Sequence, residues 1–312
     1  MSGLSCARRL HKNRIEATIF DKSRGPGGRM STRRKGESKF DHGAQYFTAS
    51  REDFRQQVIE WEAAGLAAEW AGRFADWVDG TVSERHPQRK RWVGSPRMSA
   101  LCRGLSQDLH VQYGVRIHRL EPFEQRWMLV DENEQSYGPF DSVLVSCPGP
   151  QAAALLPTDS EIHQHAKALT YSPCWAVMAE VESTINTPFD GIHFQGHSLG
   201  WAAKDSSKPH RAGGERWVLH GSADWSQQHV DSTPEEVIQH LTQAFRHIGT
   251  IQPHQCTAHR WLYALASGSD GAPAMYDKRR RLGLFGDALS APKVEGAWRS
   301  GQEMANLIME IT

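Results

Sequence analysis

Apolar residues recur along this chain at two spacings, and the switches between them mark out its elements. Leu4, Ala7 and Leu10 share one helical face. Ala17-Thr18-Ile19-Phe20 is a short apolar run closed by Asp21, which predicts a strand. From Glu52 to Trp70, Phe54, Val58, Trp61 and Leu66 return at roughly helical spacing among charged residues, predicting one helix packed on a sheet. Trp77-Val78, Gly80-Thr81-Val82 and Arg91-Trp92-Val93 predict short strands joined by a polar loop around Pro87, and Gly94-Ser95-Pro96 is a turn before a helix at Arg97–Leu105. Val111–Leu120 and Arg126–Val130 predict a small antiparallel ribbon. Asp141–Pro148 is the compact apolar run of a buried parallel strand, followed by a short helix start at Gln151–Leu156, so that Ser142–Leu156 forms a natural seam.

From Tyr171 to Tyr263 the texture changes to aromatic and β-branched strands, at Trp175–Val181, Gly191–Phe194, Leu199–Lys204 and Arg216–His220, with a helix over Pro234–Ile248. Leu282–Ala288 is a strand ending in Gly286-Asp287, and Val294–Gly301 opens a final helix. These elements predict an α/β fold. A discontinuous Rossmann-like domain occupies residues 1–55, 95–150 and 264–312, and a domain with a mixed or antiparallel sheet occupies 56–94 and 151–263.

Composition narrows the class. The 36 basic and 36 acidic residues cancel, so net charge gives no support to a nucleic-acid or membrane-surface partner. Hydrophobic content is 39% without a long uninterrupted apolar run, so no transmembrane helix is expected. Arg8, Arg9 and Lys12 are not followed by an apolar core, so a secretory leader is not expected either. The five cysteines are scattered and form no CxxC pair, which argues against a metal site or redox disulfide and for a cytoplasmic setting. Eleven tryptophans are an excess, and Trp175, Trp201, Trp217, Trp225 and Trp261 all fall in the second domain. There they either sandwich a flat ligand or pack core against a helix.

The stretch from Phe20 to Phe47, FDKSRGPGGRMSTRRKGESKFDHGAQYF, carries the candidate chemistry. Asp21 stands at a strand end, where a carboxylate reaches the ribose hydroxyls of a dinucleotide. Gly25, Gly27 and Gly28 let backbone approach a diphosphate, and the Arg29 guanidinium offers it a fork of charge-assisted donors. The plain alternative is a glycine-rich surface turn with a solvated basic run, but the order and spacing of these features together favour a bound dinucleotide. Gly3 has the place of the third glycine of a GxGxxG fingerprint, whose preceding strand and first two glycines are missing. The chain is therefore expected to start inside a longer protein. At the other end, the Asp287 carboxylate suits sugar-like hydroxyls, and the small-residue helix start at Val294-Glu295-Gly296-Ala297 offers N–H groups to an electron-rich ring.

FDKSRGPGGRMSTRR, FDHGAQYF, GLFGDA and VEGAWRSG resemble the FAD-binding motifs of glutathione-reductase-type flavoproteins, within the flavin amine oxidase superfamily and closest to its renalase-like branch. The resemblance runs on through Trp201–Pro209, Trp217–His220 and His259–Ala264 and covers nearly the whole chain. It implies noncovalent FAD, with Asp21 and Lys22 near the adenosine ribose, Arg29 at the pyrophosphate and Gln45 and Tyr46 beside the flavin. It further implies the Ile117 backbone at the adenine, Asp287 at the ribityl chain and Val294, Glu295, Gly296 and Ala297 at the ring.

The implied reaction is oxidation of a small hydride donor with O2 reduced to hydrogen peroxide. In renalases the donor is a 2- or 6-dihydro isomer of NAD(P)H, which becomes an aromatic cation on losing hydride and needs no general base. That agrees with the lack of any triad or carboxylate pair in the sequence. His220, Trp225, His259, Arg260 and Trp261 are candidates for shaping the substrate pocket, with Arg260 or Lys208 serving a substrate phosphate. Each histidine has an equally good reading as an ordinary hydrogen-bonded strand residue. Two other readings stand beside this one, a flavin-containing amine oxidase and a noncatalytic flavoprotein.

Overall fold

The helical spacing of Leu4, Ala7 and Leu10 becomes a helix over Ser2–Lys12, and the run after it becomes a strand over Thr18–Asp21. The computed structural model describes the chain apart from residues 87, 183, 212, 269, 270 and 312. The centre of the loop expected around Pro87 thus lies outside the described residues. The chain divides into two units, the first from Met1–Gly28, Cys102–Thr170 and Ala266–Thr312, the second from Arg29–Leu101 and Tyr171–Leu265. The stretch 142–156, read above as a seam, lies inside the first unit, and the chain leaves that unit at Thr170.

In the first unit, Thr18–Asp21 pairs in parallel with His110–Tyr113, and Val143–Val145 pairs in parallel with Leu282–Phe285. Ala274–Asp277 adds an antiparallel edge to Leu282–Phe285. Val111 was expected to open a ribbon with the strand at Arg126. Its segment instead stops at Tyr113, and Gly114 and Val115 donate their N–H groups to the carbonyls of Ser23 and Asp21, which ties this piece to the Asp21 strand. The ribbon begins four residues after Tyr113 and has three strands, Ile117–Phe123, Arg126–Asp131 and Ser136–Phe140.

The first helix lies against the last one, Val294–Met309, with Cys6 and Leu10 in one buried cluster with Met304, Ala305 and Ile308. Ser5 Oγ donates to the Trp298 carbonyl at 2.9 Å and receives the Gln302 amide at 2.8 Å. The contact depends on a missing side chain. A Cβ at Gly301 would stand 2.8 Å from Ser5 Cβ and 2.9 Å from the Cys6 nitrogen.

The second unit is built on a seven-stranded sheet. Its order is Cys256–Ala266, Tyr171–Val181, Glu215–Gly221, Leu199–Lys204, Gly191–Gln195, Phe74–Val78 and Thr81–Arg85. Gly191–Gln195 and Phe74–Val78 run parallel while their outer neighbours run antiparallel, so the sheet is mixed. Trp175, Trp217 and Trp225 belong to its core with Val237 and Leu241 of the helix Pro234–Ala244. That helix begins in a Thr233–Glu236 capping box and ends four residues before the expected Ile248, passing into a 3-10 turn. The single helix expected over 52–70 also stops early, at Ala63. Gly65 takes a left-handed φ of 71°, and the N–H groups of Gly65 and Leu66 close back on the carbonyls of Glu62 and Trp61. This is a Schellman ending, after which Ala67–Glu69 pairs with Trp92–Gly94 as a strand. No helix among the described residues is long and apolar enough to cross a membrane.

Because a Cβ at Gly301 would press into the first helix, Gly301→Ala should lose about 1–3 kcal/mol by overpacking, outweighing alanine's better helix propensity of about 1 kcal/mol. Urea unfolding measures this. A variant as stable as the parent would show that the two helices separate freely.

Candidate functional site

The candidate residues of the first unit gather at strand and helix ends. Asp21 closes the strand Thr18–Asp21, and one carboxylate oxygen accepts the Ser23 N–H at 2.8 Å. Lys22 reaches the Gln151 amide at 3.4 Å. Ile117 opens the first ribbon strand, and Gly3 lies in the first helix, where a Cβ would meet Ser146 Oγ at 3.2 Å. Asp287 follows the strand Leu282–Phe285 and is buried. The turn before it is pinned by a hydrogen bond from Gly286 N to Ser300 Oγ at 2.7 Å, with Gly286 at a φ of 153° that excludes ordinary side chains. Val294, Glu295, Gly296 and Ala297 form the first turn of the last helix.

An FAD would need room against the backbone, and the glycines can be asked whether it is there. A Cβ built on Gly25, Gly28 or Gly286 meets nothing within 4 Å, so the backbone is approachable at the positions read for diphosphate and ribityl contacts. The strands Thr18–Asp21 and Leu282–Phe285, each paired in parallel with a neighbour, end in or run into Asp21 and Gly286-Asp287, the placement a nucleotide's hydroxyls would require. The residues present therefore fit the group.

The second unit holds Arg29, Gln45 and Tyr46. Arg29 donates Nη1 to the Ala264 carbonyl at 3.2 Å, and its own carbonyl accepts the Ala44 N–H at 2.8 Å. Gln45 is buried and its amide is committed inward. Its Nε2 donates to the carbonyls of Asp41 and Gly43, and its Oε1 accepts from Lys208 Nζ at 3.1 Å.

Behind Gln45 lies a network that the sequence did not single out. The Asp41 carboxylate accepts from Thr32 Oγ1 at 2.6 Å, from the Met98 N–H at 3.1 Å and from Arg211 Nη2. Lys208 Nζ stands 2.7 Å from Asp205 Oδ1 and 3.8 Å from Asp41 Oδ2, with all three side chains essentially inaccessible. Burial alone would raise the Asp41 carboxyl, but Lys208 and Arg211, with the Thr32 and Met98 donors, hold it below the ordinary carboxylate range. Asp205 is shifted upward by burial, against the pull of Lys208 and with the help of the Asp41 charge. Lys208, expected to serve a substrate phosphate, is thus occupied inside the unit.

Beside this network stands a wall of rings. The His42 carbonyl accepts from His220 Nε2 at 3.1 Å and from Trp261 Nε1 at 3.0 Å, so His220 carries its proton on Nε2. The His42 ring lies 4.9 Å from both His259 and Trp261, which are 4.5 Å apart. Burial, reinforced by His259, Arg33 and His220, pushes His42 down to about 3. Burial, opposed by the hydrogen bond to His42, takes His220 to about 4, and His259 is lowered as well. At neutral pH the wall is uncharged. Burial also pushes the thiols of Cys6, Cys174 and Cys256 up to about 12, which leaves them protonated.

Three of the five sequence candidates, His220, His259 and Trp261, therefore come together. Arg260 does not join them, because side chains alternate across a strand. It donates to the Val230 carbonyl, 3.6 Å from Asp231, with its guanidinium 5.8 Å from the Trp175 ring. Trp225 packs in the core, stacked on His229 at 4.2 Å. The sequence reading also missed His42, Asp41 and Arg211. The only local signal was the Asp-His pair closing a strand within the glycine-rich stretch.

Two consequences are measurable. Lys208→Met strands Asp41 and Asp205 without their ammonium and should cost about 3–5 kcal/mol, whereas adding Asp205→Asn should recover a substantial part. An additive double variant would show that Lys208 and Asp205 are not coupled. For the histidines, the folded values lie below the ordinary 6.5, so the unfolded chain binds more protons at acid pH. Stability should be complete above pH 6.5 and fall as the pH drops from 6.5 towards 4. Melting curves of the parent and of His42→Gln should converge at low pH, and an unchanged slope in the variant would place a charged His42 in the folded protein.

Residues 1–59 match the model of an NAD(P)-binding Rossmann-like domain. A protein described as a candidate protoporphyrinogen oxidase from Exiguobacterium sp. 255-15 superposes with a TM-score of 0.80 at 13% identity, over 100% of this chain and 97% of that one. Putrescine oxidase bound to putrescine gives 0.74 at 11% identity over 99% and 97%, and cyclohexylamine oxidase from Brevibacterium oxydans IH-35A gives 0.72 at 13% over 99% and 96%. These likenesses establish a shared α/β fold with a Rossmann-like domain and a mixed sheet. Residues 88–309, well over half of the sequence, match the family model of flavin containing amine oxidoreductases, and the chain belongs to that family.

Proposed function

We propose that this protein is an FAD-dependent oxidase that removes hydride from a small-molecule amine and delivers the electrons to O2. The observation that carries the proposal is the uncharged wall of His42, His220, His259 and Trp261 in the unit that holds Gln45 and Tyr46, within a chain of the flavin containing amine oxidoreductase family. An amine gives up hydride as its free base, and a wall of unprotonated imidazoles leaves such a base uncharged. Two structural neighbours are named for their amines, putrescine and cyclohexylamine, which supports the same class of donor.

FAD, when bound, supplies the redox chemistry, a two-electron transfer from the donor to O2 that yields hydrogen peroxide. In the first unit, Asp21 and Lys22 would hold the adenosine ribose, Gly3, Gly28 and the Ile117 backbone the remaining adenosine and diphosphate contacts, and Asp287 with Val294–Ala297 the ribityl chain and ring. In the second unit, Arg29 would serve the pyrophosphate, and Tyr46 would flank the flavin from a loop fixed by Gln45. The association is noncovalent in this assignment. A cytoplasmic setting is supported by Cys6, Cys102, Cys147, Cys174 and Cys256 all standing as free thiols.

A second reading is favoured by one specific observation. Arg91 is 6% exposed and its Nη1 has no hydrogen-bond partner, which suits a donor that brings a phosphate, such as a 2- or 6-dihydro isomer of NAD(P)H. Such a donor needs no base, since hydride loss makes it aromatic.

Purified protein should be yellow, with flavin bands between about 350 and 500 nm, and acid precipitation should release the colour into solution. Under anaerobic mixing, a small primary amine, with or without a carboxylate of its own, should bleach the flavin within seconds, faster than partly isomerised NADH does. The reverse order would assign the donor to the dihydronicotinamides. A colourless protein that takes up no FAD would end both readings.

A further inference from the structure

Arg91 is a buried charge of the second unit, and its Nη1 has no hydrogen-bond partner. Its guanidinium lies over the Phe74 ring at 3.5 Å and near the Tyr46 ring at 4.7 Å, and it hydrogen-bonds the Tyr46 side chain. Its position is fixed by backbone on both sides. The Arg91 carbonyl accepts the Trp70 N–H at 2.7 Å, and Trp92 exchanges two backbone hydrogen bonds of 2.8 Å with Phe47. A guanidinium stays charged at any physiological pH, and a buried charge ordinarily has a carboxylate against it. The carboxylate whose charge bears on it, Asp76, is itself paired with Arg85 at 3.0 Å.

A second orphan donor belongs to the same group of rings. Trp201 is 6% exposed, and its indole Nε1 also lacks a partner. Its ring lies 5.7 Å from Tyr46, 6.3 Å from Phe74 and 4.5 Å from His193. Gly191 makes this placement possible, since a Cβ there would stand 2.5 Å from the Trp201 ring. Tyr46 and His193 are only partly buried, so the two donors are not sealed away from ligands on that side. An indole N–H and a guanidinium N–H have one ligand chemistry in common, since neither can accept a hydrogen bond. A group that satisfies both must be an acceptor, and beside an uncompensated cation it is best an anion.

We propose that Arg91 and Trp201 form a subsite for an oxyanion carried by the substrate, a carboxylate or a phosphate, against the aromatic group of Tyr46, Trp70 and Phe74. This rests on the oxidase reading only in taking Tyr46 to lie near the reacting centre. The subsite orients the substrate by its charged end and leaves the uncharged wall of His42 and His220 for the end that is oxidised.

The test uses matched ligands that differ only in charge, titrated calorimetrically and by tryptophan fluorescence into the flavin-loaded protein. Benzoate against benzamide probes a carboxylate, and nicotinamide mononucleotide against nicotinamide riboside probes a phosphate. The anionic member of at least one pair should bind about tenfold to a hundredfold more tightly, the range given by charge-assisted hydrogen bonds. Whichever pair discriminates identifies the oxyanion. Arg91→Met should reduce that preference to about twofold or less, and Trp201→Phe should lower it in part. Arg91→Met should also melt no lower than the parent, because it replaces an uncompensated buried charge by an apolar chain. Equal affinities within both pairs for the parent protein, a preference that survives Arg91→Met, or a large drop in melting temperature for that variant would each overturn the proposal. Binding is read without turnover, so a protein that discriminates between the ligands but oxidises no donor would retire the oxidase reading and leave the subsite standing.

Discussion

A carboxylate buried as completely as Asp41 persists only while cations and N–H donors surround it. Its surroundings follow from that requirement. Thr32, Met98, Arg211 and Lys208 are drawn onto its two oxygens. Lys208 in turn brings Asp205 and the Gln45 carbonyl oxygen to its ammonium, and the other end of the Gln45 amide clasps the carbonyls of Asp41 and Gly43. The loop from Asp41 to Tyr46 is thereby held at both ends. One result is that the His42 carbonyl is aimed at His220 and Trp261. Another is that Tyr46 reaches Arg91 and Trp201.

Such a network does little for stability as such. Buried ion pairs are often matched or surpassed by apolar residues of the same volume, whereas breaking one by removing a partner is severe. What the network supplies is a single arrangement of a glycine-containing loop that would otherwise have many. The Gly43 backbone lies too close to the Arg29 carbonyl to accept a side chain, so ordering cannot come from packing a larger residue there. Hydrogen bonds from a buried amide and a buried ammonium do that ordering instead.

The local features of the fold were legible in the sequence because their causes are local. The strand ending in Asp21, the strand ending in Gly286-Asp287 and the helices at both termini each announce themselves in a few residues of periodicity and punctuation. The helix over 52–70 was misread because Leu66 continues the apolar spacing past Gly65, and the glycine's left-handed conformation outweighs one more periodic residue. Arg260 was separable in principle, since a period of two already sets it on the opposite face from His259 and Trp261. Lys208 was not separable. Its Asp205 partner is three residues away, but Asp41 and Gln45 lie more than 160 residues back and no local pattern joins them. Arg91, written in the sequence as one member of an apolar strand, shows that it lacks a paired carboxylate only when Asp76 is seen to be engaged by Arg85.

The electrostatics of the second unit then constrain which donor suits it. His42 and His220 remain neutral, so they neither attract nor repel an ionised substrate, whereas Arg91 carries a charge that does. With an effective dielectric near 20, an ammonium about 6 Å from that guanidinium would be disfavoured by about 3 kcal/mol, roughly a hundredfold in binding. A free-base amine carries no such penalty, and a donor with its own carboxylate or phosphate turns the same interaction into an attraction. On the proposed reading the Arg91 charge would act twice. In the proposed oxidase it would select against the protonated form of an amine, which cannot yield hydride, and would favour donors anchored at one end by an oxyanion and oxidised at the other.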